Sequence, residues 1–268
     1  MKHYCIWVSQ SWSVQHSALG YLTLSGVLAA VMLPLVALVI PQKRGDDDVA
    51  REHAVTAIFG SFIFCVTSAF FYGVISGDSL CIRANFTDGP ASVLLGLGGS
   101  MAIVGICWLV SLWSGDSRLL FRVRTLGLVG ILFVSFEVLI TIEQMVISMH
   151  ASRRSWGSWT ETLLIVWPSI VLLVSSSALA YRKVRFPNWI RGSFRFLLPA
   201  CYFVNTAIGT YSTNWSSGHI DKRWYWVAVA TAMSLIFTLA EVSLISLLPE
   251  SSYITPRLHR VSAESQSP

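Results

Sequence analysis

Seven continuous apolar runs, each close to the length that crosses a lipid bilayer, constrain this chain more than any other feature. They cover residues 18–40, 54–76, 92–113, 126–148, 162–181, 196–213 and 225–248. A helix rises about 1.5 Å per residue, so about 20 residues cross the hydrocarbon core. Because the runs are apolar throughout rather than alternating, lipid-exposed strands are disfavoured. The pattern predicts an all-α fold, a polytopic membrane bundle of seven transmembrane helices.

Composition agrees with a membrane environment. Of the 268 residues, 54% are hydrophobic and 12% charged, against roughly 25% charged in soluble domains. The basic residues lie in short stretches between the apolar runs, which is typical of a topology signal rather than of a nucleic-acid surface. We therefore expect the lipid bilayer as partner and no nucleic-acid binding.

The distribution of Lys and Arg predicts the orientation. With seven spans, thirteen basic residues fall on one side and six on the other. The side richer in basic residues is normally cytoplasmic, which places the N-terminus outside and the C-terminus in the cytoplasm, in a cytoplasmic or plasma membrane. Residues 1–248 form the predicted transmembrane domain, and residues 249–268 a disordered cytoplasmic tail. The sixth run is the least apolar, and without it the C-terminus would lie outside.

Two features of the predicted outer loops leave alternatives open. Cys5 and Cys81 would both face an oxidising exterior, where they either form a disulfide or remain two unpaired thiols. Asn85 and Asn214 each begin a glycosylation sequon, which carries meaning only in a cell that glycosylates proteins.

Carboxyl groups inside the spans, above all Glu137 and Glu241, are the most informative chemical feature. Glu137 lies near the middle of the fourth run and Glu241 in the inner half of the seventh, with no Lys, Arg or His at comparable depth. A charge in hydrocarbon costs at least a few kcal/mol. We expect these groups to point into the bundle and to be protonated, hydrogen-bonded or hydrated, which makes both candidate catalytic or proton-exchanging residues.

Polar residues at helical spacing extend this prediction. They form stripes on the fourth, sixth and seventh predicted helices, and a cavity enclosed by these stripes would bind a ligand through Glu137, Thr141, Gln144, Tyr202, Asn205, Thr238 and Glu241. The alternative is a structural network that fixes helix register, each hydrogen bond contributing about 1 kcal/mol. No metal-binding motif is recognised, since the His residues are scattered, and no cofactor is indicated.

Three functional interpretations remain open. In the first, the protein is a small transporter, sensor or accessory subunit whose polar cavity binds a proton, a cation or another small molecule. In the second, it is an intramembrane enzyme in which a protonated Glu acts on a lipid-soluble, isoprenoid-like substrate. In length and number of spans the chain is similar to small integral-membrane terpene cyclases. In the third, it is a structural partner that only packs against other membrane proteins.

Overall fold

The structure consists of long helices. It is a computed structural model that describes residues 14–39, 48–78, 81–113, 116–149, 170, 188–213, 236, 238–242, 244–245 and 248. The long helices are α1 Val14–Val39, α2 Asp48–Gly77, α3 Cys81–Trp113, α4 Ser117–Met149 and α5 Asn188–Thr213. Further helical residues, 238–242 and 244–245, form with Leu248 what we call the C-terminal segment. No described residue lies in a strand, so the all-α prediction is confirmed for this part of the chain.

Four of the described helices contain a stretch that is long and apolar enough to cross a membrane. These stretches are Val14–Leu38, Ala50–Gly77, Phe86–Trp113 and Arg118–Val138, and they correspond to the first four predicted spans. The sixth predicted span falls within α5. Apart from Ile170, the fifth lies outside the described residues, as do most of the seventh and the tail 249–268.

Helices α3 and α4 begin earlier than their apolar runs. The stretch containing Cys81 and Asn85, which we predicted as a loop, forms the first turns of α3, and α4 begins at Ser117 rather than near residue 126. A hydropathy window marks only the hydrocarbon core. Where helices enter the headgroup region, polar side chains can be hydrated while the backbone keeps its helical hydrogen bonds.

Helix α3 lies at the centre of the described bundle, in contact with α1, α2, α4 and α5. A Cβ atom at Gly98 would lie 2.8 Å from Cys65 Sγ, and one at Gly105 would lie 2.5 Å from Ile58 Cγ1. Small residues allow helices in lipid to approach closely and gain van der Waals contact. The small residues of α3 therefore allow α2 to pack closely against it.

Hydroxyl groups tie α2 to α3. Ser61 Oγ donates to the backbone carbonyl of Gly98 at 2.7 Å, and Ser68 Oγ donates to that of Ala91 at 2.8 Å. Because the later residue of α2 pairs with the earlier residue of α3, the two helices are antiparallel.

The first four helices alternate in direction. Gln15 Nε2 donates to the backbone carbonyl of Asp78 at 2.5 Å, so α1 begins where α2 ends. Cys107 Sγ lies 3.7 Å from the carbonyl oxygen of Val123, so α4 begins near the end of α3. We call the end of the bundle near Asp78 the upper end and the opposite end the lower end.

Helix α5 runs parallel to α2. A Cβ atom at Gly60 would contact the side chain of Leu198 near the start of α5. Further along both helices, Thr67 Oγ1 and the Tyr202 hydroxyl are 3.1 Å apart. Helices α2, α4 and α5 therefore all run from the lower to the upper end.

The C-terminal segment runs in the opposite direction to α5. Glu241 lies beside Ser100 of α3. Four residues later, Ile245 Cδ1 would be 2.9 Å from a Cβ atom at Gly127, whose other neighbour is Cys107. The segment thus descends along α3 towards the lower end.

The outer surface of the bundle carries large apolar side chains. Phe70, Phe133 and Phe203 are each more than 60% exposed, and Leu126 is 71% exposed. Large exposed apolar side chains of this kind are suited to lipid tails rather than to water.

An ion pair occupies the upper end, beyond the apolar stretches of α2 and α3. Arg83 Nε and Nη2 donate to the two carboxylate oxygens of Asp78 at 2.5 and 2.6 Å. Because these hydrogen bonds favour the charged guanidinium, the pKa of Arg83 is raised above its usual value. The ion pair joins the end of α2 to the start of α3.

Candidate functional site

Glu241 lies at the centre of the candidate site. Its side chain is completely buried, and one carboxyl oxygen, Oε1, lies 2.7 Å from the hydroxyl of Ser100, which is itself buried in α3. The C-terminal segment presents Glu241 to α3, where small residues allow close helix packing. The bond joins elements 141 residues apart in sequence, so it reports the tertiary arrangement rather than local structure.

The hydrogen bonds of Ser100 bear on the protonation of Glu241. Ser100 Oγ is also 2.9 Å from the carbonyl oxygen of Leu97 in the preceding turn. A serine hydroxyl carries one proton to donate. If Ser100 donates to Leu97, the bond to Glu241 must be donated by a protonated carboxylic acid. That arrangement gives the Leu97 carbonyl, the Ser100 hydroxyl and the acid proton of Glu241 a partner each. It also avoids an ion in a site whose burial would make an unpaired charge very costly.

Helix α5 contains further buried polar atoms. Asn205 is 1% exposed, and its Nδ2 donates to the backbone carbonyl of Cys201 at 2.9 Å. The Cys201 side chain lies within electrostatic range of Glu241. Within the described part of the chain, three buried oxygens have no hydrogen-bond partner, namely Glu241 Oε2, Asn205 Oδ1 and Thr206 Oγ1. Groups of this kind are suited to a proton, a water molecule or a small polar ligand.

The other predicted residues of the sixth and seventh helices have separate environments. Tyr202 is directed towards α2, where its hydroxyl contacts Thr67 and its ring meets Phe64 edge-on at 5.7 Å. Thr238 is buried one turn before Glu241. Tyr202 therefore links α5 to α2, whereas Asn205 and Thr238 lie on the buried faces of their elements.

The predicted residues of the fourth helix are placed differently. Glu137 is exposed on α4, in contrast to our expectation that it points inward, while Glu241 is fully buried. Thr141 and Gln144 follow in α4, but their side chains lie outside the described residues, as do Cys5 and the side chain of Cys81. The predicted disulfide therefore remains a prediction.

Sequence reasoning missed Ser100 and Cys201 as components of the site. One signal was available in the sequence, since Asp88, Ser92, Gly96 and Ser100 follow at intervals of four and share one side of α3.

Among the described residues, no group of three or more His, Cys, Asp and Glu side chains could hold a metal ion. Comparison of the chain with protein-family models, with curated proteins and with solved structures finds no match.

Proposed function

We propose that this chain is a seven-span protein of the cytoplasmic or plasma membrane that exchanges protons through Glu241, as a small proton-coupled transporter or sensor. The observation that carries the proposal is the environment of Glu241. Its side chain is fully buried, with one carboxyl oxygen bound to Ser100 and the other without a described partner. An ionisable residue inside a membrane bundle is a functional candidate by default.

Helix directions support the seven-span topology. Helix α4 ends at the upper end and α5 begins at the lower end, so the proposal assigns a fifth crossing to the sequence between them, residues 150–187. These 38 residues include the predicted fifth span. Together with the descending C-terminal segment, this supports a topology of seven crossings in which the two termini lie at opposite ends.

Charge supports the orientation. The five long helices contain seven Lys and Arg residues, of which only Arg83 lies at the upper end, paired with Asp78. The other six lie near the lower end, namely Arg51, Arg118, Arg122, Arg124, Arg191 and Arg195. Under the positive-inside rule the lower end is cytoplasmic and the upper end is outside. Reporters fused to the two termini should therefore report different compartments, and reporters in the same compartment would contradict this topology.

Proton flux into liposomes tests the function. The protein is reconstituted with an enclosed pH-sensitive dye, and a potassium gradient with valinomycin sets a membrane potential. We expect wild-type protein to admit protons faster than protein-free liposomes, and Glu241→Gln to return the rate to the protein-free value, because an amide cannot bind and release a proton in this way.

The matched control is Glu52→Gln, which removes an exposed carboxyl at the lower end of α2 and should leave the flux unchanged. A Glu241→Gln variant that conducts like the wild type would contradict the role of Glu241. A wild-type rate equal to that of protein-free liposomes would contradict proton exchange across the bundle.

A further inference from the structure

A second group of polar side chains lies nearer the upper end, between α2 and α3. The hydroxyls of Tyr72 and Ser92 are 2.6 Å apart, and Tyr72 is completely buried. The carboxyl group of Asp88, one turn before Ser92 on α3, forms a side-chain hydrogen bond with Ser92. We call Asp88, Ser92 and Tyr72 the upper cluster. Each of its members carries an oxygen that can accept and donate a proton.

The groups that face the upper cluster come from two further helices. The ring of Tyr21 in α1 stacks on that of Tyr72, with centroids 5.2 Å apart. Tyr21 also lies within electrostatic range of both Asp88 and Glu137, the exposed carboxyl of α4. The exposed Glu137 is therefore in electrostatic range of a residue that stacks on the upper cluster.

One side of α3 connects the upper cluster to Glu241. Asp88, Ser92, Gly96 and Ser100 follow at intervals of four residues, and Ser100 bonds Glu241. Ser92 and Ser100 are eight residues apart, which is about 12 Å along the helix axis. Between them, Gly96 offers no side chain, and a Cβ atom there would collide with Val138 of α4. Val138 is 6% exposed, so an apolar contact separates the two polar groups.

We propose that protons reach Glu241 from the upper cluster, with Val138 as the apolar barrier between the two sites. This proposal rests on the proposed function. Asp88 binds a proton from the upper side and becomes a neutral carboxylic acid. It passes that proton to the Ser92 hydroxyl, which releases its own proton onward, so the hydroxyl is unchanged at the end. When the Gly96–Val138 contact opens to water, the proton travels through the water to Glu241, which has first released its own proton towards the lower end. Glu241 is thereby protonated again, and Asp88 returns to its carboxylate.

Hydrogen–deuterium exchange at Glu241 tests this path. Infrared spectroscopy of the full chain in lipid vesicles, after transfer to D₂O, follows the carbonyl band of the protonated acid, which Glu241→Gln assigns. A positioned acid or base typically accelerates proton transfer by about 10²-fold or more. We expect Asp88→Asn to slow the exchange at Glu241 at least about ten-fold. Ser92→Ala should also slow the exchange. Val138→Ala, which widens the barrier, should accelerate exchange.

The control is Asp116→Asn, which removes an exposed carboxyl at the lower end and should leave the exchange rate unchanged. If Asp88→Asn does not fold, the exchange rates of Ser92→Ala and Val138→Ala alone test the proposal. If the folded variants show a clear Glu241 band and an unchanged exchange rate, the upper cluster is not the source of the protons that reach Glu241. The proposed function would not be affected by that result. Absence of any band that Glu241→Gln removes would instead contradict the proposed function.

Discussion

The α2–α3 interface and the Glu241 site both bury polar groups in an apolar bundle, but they differ in how these groups are hydrogen-bonded. At the interface, Ser61 and Ser68 each donate to a backbone carbonyl of α3. At the Glu241 site, the carboxyl oxygen Oε2 of Glu241 is buried without a partner among the described residues. A buried polar group that is fully paired stabilises a packing, whereas one that is left open has a free energy cost. We infer that the interface fixes the scaffold and that the site is kept open for exchange.

The largest effect on stability is expected at the interface. Gly105→Ala would place a methyl group 2.5 Å from Ile58 Cγ1 and 3.2 Å from the backbone nitrogen of Ile58. Since overpacking of a filled core typically costs about 1–3 kcal/mol, thermal unfolding in detergent should begin at a lower temperature. Gly73→Ala is the matched control, because nothing lies within 4 Å of a Cβ atom there. Equal stability of the two variants would show that α2 and α3 are not closely packed.

A smaller loss is expected from Ser61→Ala. The change removes the hydrogen bond to Gly98 and leaves that carbonyl with only its bond within the helix. Hydrogen bonds between membrane helices contribute about 0.6 kcal/mol on average and about 1.7 kcal/mol at most. Thermal unfolding should therefore shift less than for Gly105→Ala. A shift as large as that of Gly105→Ala would mean that the hydroxyl, rather than close packing, holds the interface together.

The smallest change in stability is expected from Glu241→Gln. The amide has nearly the shape of a protonated carboxylic acid, and its NH₂ group can donate to Ser100. Because no ion pair is lost, we expect the free energy of unfolding to change by less than about 1 kcal/mol, while proton flux is abolished. Destabilisation by several kcal/mol, measured in the same unfolding assay, would indicate that Glu241 is an ionised structural group, and the contrast between the two regions would disappear.

The sequence predicts one of these regions better than the other. Apolar runs and small residues are properties of single helices, so the first four spans and the tight packing of α3 could be predicted. The contact between Glu241 and Ser100 depends on which faces of distant helices meet, and periodicity within one helix does not contain that information. The same lack of information about distant helices explains why the exposure of Glu137 could not be predicted. Its spacing with Thr141 and Gln144 indicates a common face of α4, but not that Glu137 would be exposed near Tyr21 rather than beside Glu241.

The most direct test of the account is the infrared spectrum of the protein in lipid at neutral pH. We predict a carbonyl band of a protonated carboxylic acid that disappears in Glu241→Gln, persists in Glu52→Gln, and weakens or shifts in Ser100→Ala because its hydrogen-bond partner is lost. A spectrum in which Glu241→Gln removes only carboxylate absorption would show that Glu241 is ionised, and would contradict the neutral, proton-exchanging acid on which the account depends.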